Sequence, residues 1–396
     1  MKPASFAQKL WRFCGNSRVT ETALIEPMHH AIRREFADQP GVLLAVHDWS
    51  SLSFGAHHSK QDRATLTHAH DVGYDLATVL MVRASDGAPI APAVVSLRAD
   101  TAIHSTRDDP QHLKMCHVDQ VLGNMKFICD QNFSPSVVHV IDREADSVNH
   151  WRQWSEDGHL ALVRADDRIV LCQGQETKLT AIADALRNAE ALHETRAVLY
   201  HCRKARQFVG EAEVVLYRPG KRYVEGGKQV EVPGPPLTLQ LIVSEVRDLN
   251  GKLLARWLLL SNAPIDLADA ATIAPWYYLR WRIENLHKLI KSAGWQLESW
   301  LQRDGQRILK KLLVAFGVCA SIWALERKLD AESHGLKELL MHLSGRQTKR
   351  NRRITTSGML AGLWVLQAAL EPLARHGPDQ LSAMMQNHLP LFAMTI

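Results

Sequence analysis

The stretch WYYLRWRIENLHKLIKSAG, residues 276–294, repeats polar and apolar side chains at steps of three and four residues. This spacing predicts one continuous amphipathic α-helix. The polar face joins one acid to aromatic and basic side chains: Tyr277, Arg280, Glu284, Lys288 and Lys291. The opposite face is apolar: Leu279, Ile283, Leu286 and Ile290. The polar face fits a solvated surface, where Glu284 and Lys288 form a pair worth about 0.2–0.5 kcal/mol, or a functional site.

Length and composition indicate a globular protein of more than one domain. The chain has 396 residues, of which 46% are hydrophobic, and this length is large for one core. A net charge of +5 permits a polyanionic partner without requiring one. The six cysteines form no CxxC pair, so the pattern does not support a zinc site or a disulfide framework. The longest apolar run, residues 312–325, is short for a membrane span and predicts a buried helix. We therefore expect a cytoplasmic protein with no membrane partner.

Two aspartates follow apolar runs that predict buried strands. GVLLAVHD (41–48) ends at Asp48, and in SVVHVIDREAD (136–146) the apolar run ends at Asp142. Because an ionised carboxylate is costly to bury unless it is paired or bound to metal, an acid at a strand end is either a cap or a site residue. DREAD (142–146) also fits the acidic first turn of a helix. Taken singly, each aspartate is better explained as a cap.

With Glu284, the two aspartates make a set of three acids that could converge on divalent cations. Mg²⁺ prefers oxygen ligands and retains water, so one or two carboxylates per ion suffice. Two ions about 3.5–4 Å apart can activate a nucleophilic oxygen and stabilise the leaving oxygen of a phosphodiester. The bases beside Glu284 would then hold phosphates.

The rest of the chain divides by pattern. Two helical segments are expected before residue 38, with a break at 17–22, and strands are expected at 76–84 and 91–99 around Asp86-Gly87. Between 168 and 263, short β-rich runs alternate with Gly and Pro turns, and Asn250-Gly251 is a hairpin signal. From residue 271 onward the pattern is mostly helical.

These motifs resemble a known family. Tyr277-x2-Arg280-x3-Glu284-x6-Lys291 matches the Y-R-E-K signature of DDE transposases of the bacterial insertion-sequence-four family, of which the transposon-five transposase is a well-studied member. VHDWSSLSF and VIDREAD resemble the family's two aspartate segments, and RWLLLSNAP resembles the end of its β-rich insertion. The order of the motifs and the intervals between them agree with the family, so the resemblance covers the chain from about residue 10 to the C-terminus.

The resemblance implies an α/β fold: a ribonuclease-H-like mixed sheet with helices, interrupted by a β-rich insertion and followed by a C-terminal helical domain. The expected division is a short N-terminal helical segment (1–38), the first part of the catalytic core (39–167), the insertion (168–263), the glutamate helix of the core (264–305) and a helical region for dimerisation (306–396). The apolar helical stretches of this last region need a partner, which is either a second copy or the catalytic domain.

The resemblance also assigns roles at the site. Asp48, Asp142 and Glu284 would be the catalytic residues and would hold two Mg²⁺ ions, with Mn²⁺ as a substitute; Asp48 would contribute to both ions and each other acid to one. Tyr277, Arg280 and Lys291 would hold DNA phosphates. Trp257 matches a tryptophan that stacks on a base flipped from the duplex, although a core position is the alternative.

Further DNA contacts are expected at basic positions. His287 and Lys288 belong to the matched string, and Arg143 follows Asp142 directly. RQTKRNRR (346–353) is the densest basic stretch and is either a solvated loop or a phosphate-binding segment through Lys349, Arg350, Arg352 and Arg353.

The implied reaction is cut-and-paste transposition by a homodimer bound to double-stranded DNA. Water cuts one strand at a terminal inverted repeat, the released 3′-hydroxyl forms a hairpin with the other strand, a second water opens the hairpin, and the hydroxyl attacks target DNA. Only 47 residues precede Asp48, whereas better-known relatives carry an N-terminal DNA-recognition domain there. Two alternatives therefore stay open: a shortened inhibitor, as is known for a member of this family, or another ribonuclease-H-like nuclease.

Overall fold

One large sheet organises the chain in a computed structural model, which describes residues 3–37, 41–68, 70–108, 117–133, 136–223, 229–291, 295–345 and 354–388. The helices are α1 (Pro3–Cys14), α2 (Glu21–Phe36), α3 (Val121–Asp130), α4 (Val148–Glu156), α5 (Leu179–Asn188), α6 (Ala270–Tyr278), α7 (Trp281–Lys291), α8 (Gly305–Arg327), α9 (Ala331–Leu343) and α10 (Thr356–His388). The first strands are β1 (Val42–Ser53), β2 (Ala64–Thr65), β3 (Val72–Arg83), β4 (Pro89–Arg98), β5 (Ile103–Ser105), β6 (Ser136–Ile141) and β7 (Leu160–Arg164). The later strands are β8 (Ile169–Cys172), β9 (Gln175–Lys178), β10 (His193–Tyr200), β11 (Arg203–Leu216), β12 (Gly220–Tyr223), β13 (Gln229–Val232), β14 (Leu237–Asp248) and β15 (Leu253–Ser261).

The sheet is mixed but mainly antiparallel. Among the described residues its strands run in the order β5-β4-β3-β1-β6-β7-β15-β14-β11-β8-β9, while β10 pairs with β11 and β2 with β3. Of the pairs between these described strands, only β1–β6 and β6–β7 are parallel. The strands β12 and β13 form a separate two-stranded antiparallel sheet. The predicted α/β class is thus confirmed.

Helices cover both faces of the sheet around β6 and β7. Val138 and Val140 of β6 join a core cluster that contains α6, α7 and α8, whereas Ile141 joins a second cluster with Trp151 and Trp154 of α4. Since successive side chains of a strand point to opposite faces, β6 lies between two helical layers. Both β6 and β7 are consequently central, and the residues after the C-terminal end of each strand lie at one rim of the core.

Several local predictions are confirmed. Two helices, α1 and α2, precede residue 38 and are separated at 15–20. The turn at Asp86-Gly87 joins β3 to β4, with Gly87 at φ 70°, and Gly251 at φ 83° lies in the turn between β14 and β15. Both turns need the left-handed backbone conformation that glycine adopts without strain.

The long apolar helix is a core element. In the described part of the chain, α8 is the one helix long and apolar enough to cross a membrane, but 61% of its apolar window is buried inside the protein. It packs against β4 and α2. The prediction of a buried helix at 312–325 is therefore confirmed.

Two boundary predictions were wrong. Strand β1 does not end at Asp48 but continues to Ser53, because its pairing with β3 extends to Ser53 opposite Gly73. The single helix predicted over 276–294 is two helices, α6 and α7, separated at 279–280. Leu279 there packs against the Gly87 turn, where an added methyl group would meet its side chain at 2.4 Å, so tertiary packing overrides a continuous helical pattern.

The segment 168–263 is rich in strands, as predicted, but it also contains the helix α5. Its strand β15 pairs with β7 and β14, so the same sheet continues from the first strands into this segment. The division into domains stays a prediction. The basic stretch 346–353, with Lys349, Arg350, Arg352 and Arg353, lies outside the described residues.

The buried carboxylate of Glu245, in the segment 168–263, leads to a first prediction about stability. The Glu245 side chain is fully buried and pairs with three arginines: Arg187 at 2.5 Å, Arg247 at 2.8 Å and Arg256 at 2.8 Å. Burial alone would raise the pKa of Glu245, but the hydrogen bonds from these arginines hold it below its ordinary value. We expect Glu245→Gln to lower the free energy of unfolding at pH 7 by about 1.5–3 kcal/mol, because the bonds to the charged carboxylate are lost.

The pH dependence gives the sign of this effect. Since the folded-state pKa is below the unfolded value near 4.5, the stabilisation is present above pH 4.5 and is lost as the pH falls through the folded pKa. Urea titrations of both proteins from pH 7 to pH 3 should therefore show a difference that shrinks in acid. A difference that stayed constant over this range would contradict the assignment.

Candidate active site

The parallel register of β1 and β6 places two predicted acids side by side. The pairing ends with Val46 beside Val140. Asp48 and Asp142 each lie two residues further along, and a two-residue step keeps a side chain on the same face of the sheet. Both acids therefore lie on the face covered by α6 and α7, at the rim where β6 ends.

The break between α6 and α7 brings the third acid to this rim. The amide of Arg280 donates to the Tyr277 carbonyl at 3.1 Å, and that of Ile283 donates to the Arg280 carbonyl at 3.1 Å. These are three-residue bonds, which tighten the chain relative to an α-helix. Tyr277 at the end of α6 and Glu284 in the first turn of α7 are thereby both directed toward the aspartates.

All three acids converge on the Arg280 guanidinium. Its nitrogens lie 3.5 Å from Asp48 Oδ1, 3.4 Å from Asp142 Oδ2 and 2.5 Å from Glu284 Oε1. The Arg280 side chain is only 12% exposed, so these contacts are partly shielded from solvent. The Arg280 guanidinium is thus shared by an acid from β1, an acid at the end of β6 and an acid from α7.

Asp142 is held in its charged form. Its Oδ1 accepts the backbone N–H of Arg143 at 2.7 Å and the Tyr277 hydroxyl at 2.9 Å. Burial alone would raise the pKa of Asp142, but these two bonds and the charge of Arg280 hold it below its ordinary value. Tyr277 itself is 6% exposed, and burial beside Asp142 raises its pKa.

Asp48 lies in a different environment. Burial raises the pKa of Asp48 to about 6, against the opposing charge of Arg280, and the nearby Glu284 adds to the rise. His287 Nδ1 lies 3.7 Å from Asp48 Oδ2. Burial, with the charges of Lys291 and Arg280, lowers the pKa of His287 to about 4, so the contact involves a neutral imidazole at pH 7.

The donor set suits a hard divalent cation. Three carboxylates are crowded together, with the pKa of Asp48 raised and that of Asp142 lowered, and a nearby positive charge relieves their repulsion. Among the described residues no group of three or more His, Cys, Asp or Glu side chains is close enough to enclose a metal. A cation here would be held by one or two carboxylates and by water, which is the coordination that Mg²⁺ accepts.

A polar cleft adjoins Asp142. It has a volume of about 450 Å³ and is lined by Asp142, Arg143, Glu144, Arg164 and Asp166. Arg164 was missed by the sequence reasoning, although a signal was present. Arg164 directly follows the apolar run HLALV, just as Asp142 directly follows VVHVI. The parallel register sets Val163 beside Ile141, so Arg164 and Asp142 are neighbours. Arg143, a predicted DNA contact, also lines this cleft and pairs with Asp166 at 3.2 Å.

The other predicted contacts lie around the acids at varying exposure. Lys291 Nζ donates to the Ser51 carbonyl at 2.6 Å, and Lys288 is exposed. His287 is 8% exposed, so a phosphate contact by its imidazole would require the side chain to become accessible. Trp257 is half-buried, and its ring lies 4.9 Å from that of Tyr278, the neighbour of Tyr277. These four residues remain predicted DNA contacts.

Similarity to known proteins is low for the solved structure described next and for curated sequences, but one protein family matches this chain. Among solved structures, the piggyBac transposase in a synaptic complex with hairpin DNA is 10% identical, with a TM-score of 0.30, and the match covers 87% of this chain and 57% of that one. A comparison with curated protein sequences found no match. The family described as "Transposase DDE domain" matches residues 119–319. Since that match includes Asp142 and Glu284 and extends over half of the sequence, the chain belongs to the family of transposases with a DDE domain.

Proposed function

We propose that the chain is a DNA transposase of an insertion sequence, of the insertion-sequence-four family, and that it cuts and joins DNA at Asp48, Asp142 and Glu284. The observation that carries the proposal is the convergence of these acids, from three distant parts of the sequence, on one guanidinium. Membership of the DDE transposase family supports the same reaction class. The parallel β1–β6–β7 order, with acids just beyond the β1–β6 pairing and at the end of β6, supports a ribonuclease-H-like core.

Two divalent ions would be shared among Asp48, Asp142 and Glu284, with one or two carboxylates and water at each ion. When bound, a pair of Mg²⁺ ions supplies Lewis-acid stabilisation of the phosphodiester transition state. Around it, the chain's own residues have separate tasks. The Tyr277 hydroxyl and the Arg143 amide fix the orientation of Asp142, while the Arg143 and Arg164 side chains in the cleft hold phosphate oxygens.

The substrate chemistry is phosphoryl transfer in successive steps. Water attacks phosphorus at the end of an inverted repeat, the P–O3′ bond breaks, and the 3′ oxygen leaves as a hydroxyl. That hydroxyl attacks a phosphodiester of the opposite strand, which forms the hairpin and releases the flanking DNA with a 3′-hydroxyl. A second water attacks the hairpin phosphorus, breaks its P–O3′ bond and restores the 3′-hydroxyl. This hydroxyl finally attacks a phosphodiester of target DNA and displaces a 3′-oxygen of the target strand. Trp257 stacks on a base extruded at the hairpin, which offsets the unstacking cost by about 1–3 kcal/mol. The protein acts in this proposal as a homodimer bound to DNA, within the cytoplasm.

Arg280 is assigned to a DNA phosphate in this scheme. Its guanidinium is within 3.5 Å of all three acids, so it serves as their counter-charge in the DNA-free chain. A phosphate contact requires the guanidinium to move away from at least part of this cluster. Arg280 therefore pairs with the acids in the DNA-free chain and with a phosphate of the substrate in the complex.

A nicking assay tests the proposal directly. The DNA that flanks the reading frame is searched for inverted repeats, and a labelled duplex carrying one repeat is incubated with the purified chain in Mg²⁺ or in EDTA. We expect a nick with a 3′-hydroxyl at the repeat end in Mg²⁺ only. A duplex with a scrambled repeat is the control. Cleavage that ignores the repeat or persists in EDTA would refute the assignment.

Tyr277→Phe should slow nicking without weakening DNA binding. The substitution removes a hydrogen bond to a charged carboxylate, which is worth about 1.5–3 kcal/mol, and this corresponds to a roughly 10-fold to 100-fold lower rate. Single-turnover nicking rates and gel-shift affinities for the same duplex measure the two effects. Tyr278→Phe is the matched control, because its ring packs on Trp257 instead. A loss of affinity at an unchanged rate would mean that Tyr277 acts at a phosphate.

A further inference from the structure

The last residue of the DREAD motif is an acid that the proposed reaction leaves unexplained. Asp146 has a side chain that is 0% exposed. Its Oδ1 accepts the indole N–H of Trp151 at 3.2 Å, and its Oδ2 accepts the backbone N–H of Asp166 at 2.8 Å. Arg168 Nη2 lies 2.7 Å from Oδ2 and also donates to the Asp146 carbonyl. Both carboxylate oxygens are therefore occupied by donors of the protein.

These donors come from two elements on either side of the motif. Trp151 belongs to α4, which follows the motif, while Asp166 and Arg168 lie just beyond the end of β7. Asp146 thus fastens the end of the motif both to α4 and to the strand that neighbours β6. Because its side chain is buried, Asp146 touches neither solvent nor a DNA substrate.

The segment between Asp142 and Asp146 is a single 3₁₀ turn, Arg143–Ala145. The Ala145 amide donates to the Asp142 carbonyl at 3.1 Å, and the Asp146 amide donates to the Arg143 carbonyl at 3.0 Å. The Arg143 amide, inside this turn, is the donor that holds Asp142 Oδ1 at 2.7 Å. The position of that donor depends on both ends of the turn: β6 fixes one end and Asp146 fixes the other.

We propose that Asp146 is a positioning residue for Asp142: by anchoring the turn after β6, it keeps the Arg143 amide directed at the catalytic carboxylate. This inference rests on the proposed function, because it concerns the same metal-binding acid. It assigns Asp146 no contact with substrate or cation. Substitution of a residue that orients a metal ligand without touching the metal typically lowers metal affinity or activity by about 10-fold to 100-fold.

The test measures Mn²⁺ binding and nicking on the full chain. Electron paramagnetic resonance titration gives the Mn²⁺ dissociation constant without DNA, and steady-state nicking gives kcat and KM. Asp146→Asn should raise the Mn²⁺ dissociation constant and lower kcat, each by roughly 10-fold or more, with KM for DNA unchanged. The matched control is Glu245→Gln, another fully buried acid paired with arginines, but in β14 of the segment 168–263. It should lose stability while its Mn²⁺ affinity and kcat stay at wild-type values.

The possible results distinguish failure of the positioning role from failure of the proposed transposase function. The positioning role is refuted, while the proposed function stands, if Asp146→Asn binds Mn²⁺ and nicks like the wild type. It is equally refuted if the control Glu245→Gln loses as much Mn²⁺ affinity and kcat as Asp146→Asn. If Asp142→Asn binds Mn²⁺ like the wild type, both ideas fall. Should Asp146→Asn fail to fold, Arg168→Gln decides. It removes the ion pair and must shift Mn²⁺ affinity and kcat in the same direction, and wild-type values in that variant would overturn the proposal.

Discussion

Asp142→Asn is expected to lower the nicking rate by at least about 10³-fold. The substitution removes a carboxylate that we propose holds the metal, and the stabilisation that a bound cation gives the transition state is worth several kcal/mol, with about 1.4 kcal/mol for each factor of ten in rate. The fold should survive, because Asp142 is at a rim and asparagine has the same size. Single-turnover nicking of the terminal-repeat duplex in Mg²⁺ is the measurement.

Asp166→Asn is the matched control for that variant. Asp166 lines the same cleft, and its side chain is 58% exposed and paired with Arg143. An exposed pair contributes little, so we expect less than roughly a tenfold change. Equal nicking by wild type and Asp142→Asn would show that the cleavage occurs at another site or in a contaminant.

The largest loss of stability is expected from Phe316→Ala. Phe316 is 0% exposed in the middle of α8, the helix that packs against β4 and α2. Truncation removes buried apolar surface and leaves a cavity, so the free energy of unfolding should fall by about 3–5 kcal/mol. Urea denaturation followed by tryptophan fluorescence measures the change. Leu329→Ala, at a side chain that is 93% exposed, should change it by less than about 0.5 kcal/mol. A loss below about 1 kcal/mol in Phe316→Ala, by contrast, would mean that the helix is loosely packed.

The sequence predicted those features that depend on local pattern. An apolar run followed by an acid located β6 and Asp142, because a buried strand needs apolar residues on both faces and a charge must lie at its rim. The same reasoning failed for the length of β1. Among the described strands, its second half pairs with β3 but not with β6, so polar residues are tolerated there and the strand continues past Asp48.

Other features depend on contacts that no local pattern contains. No glycine or proline at 279–280 predicts the break between α6 and α7, and Leu279 there packs against the turn at Gly87, which is distant in the sequence. The approach of Arg280 to three acids results from that break. The role of Arg164 needed the order of strands, since only the adjacency of β6 and β7 sets it beside Asp142.

The continuity of the sheet limits how this protein could be shortened. β15 is the last strand of the segment 168–263, it protects the outer side of β7 from Leu162 to Arg164, and it leads into α6. Excision of the whole segment would leave backbone groups of β7 unpaired next to the rim that carries Asp142, and unpaired strand edges promote aggregation. A minimised enzyme would thus have to retain β15, or a substitute strand, even if every other part of the segment proved dispensable.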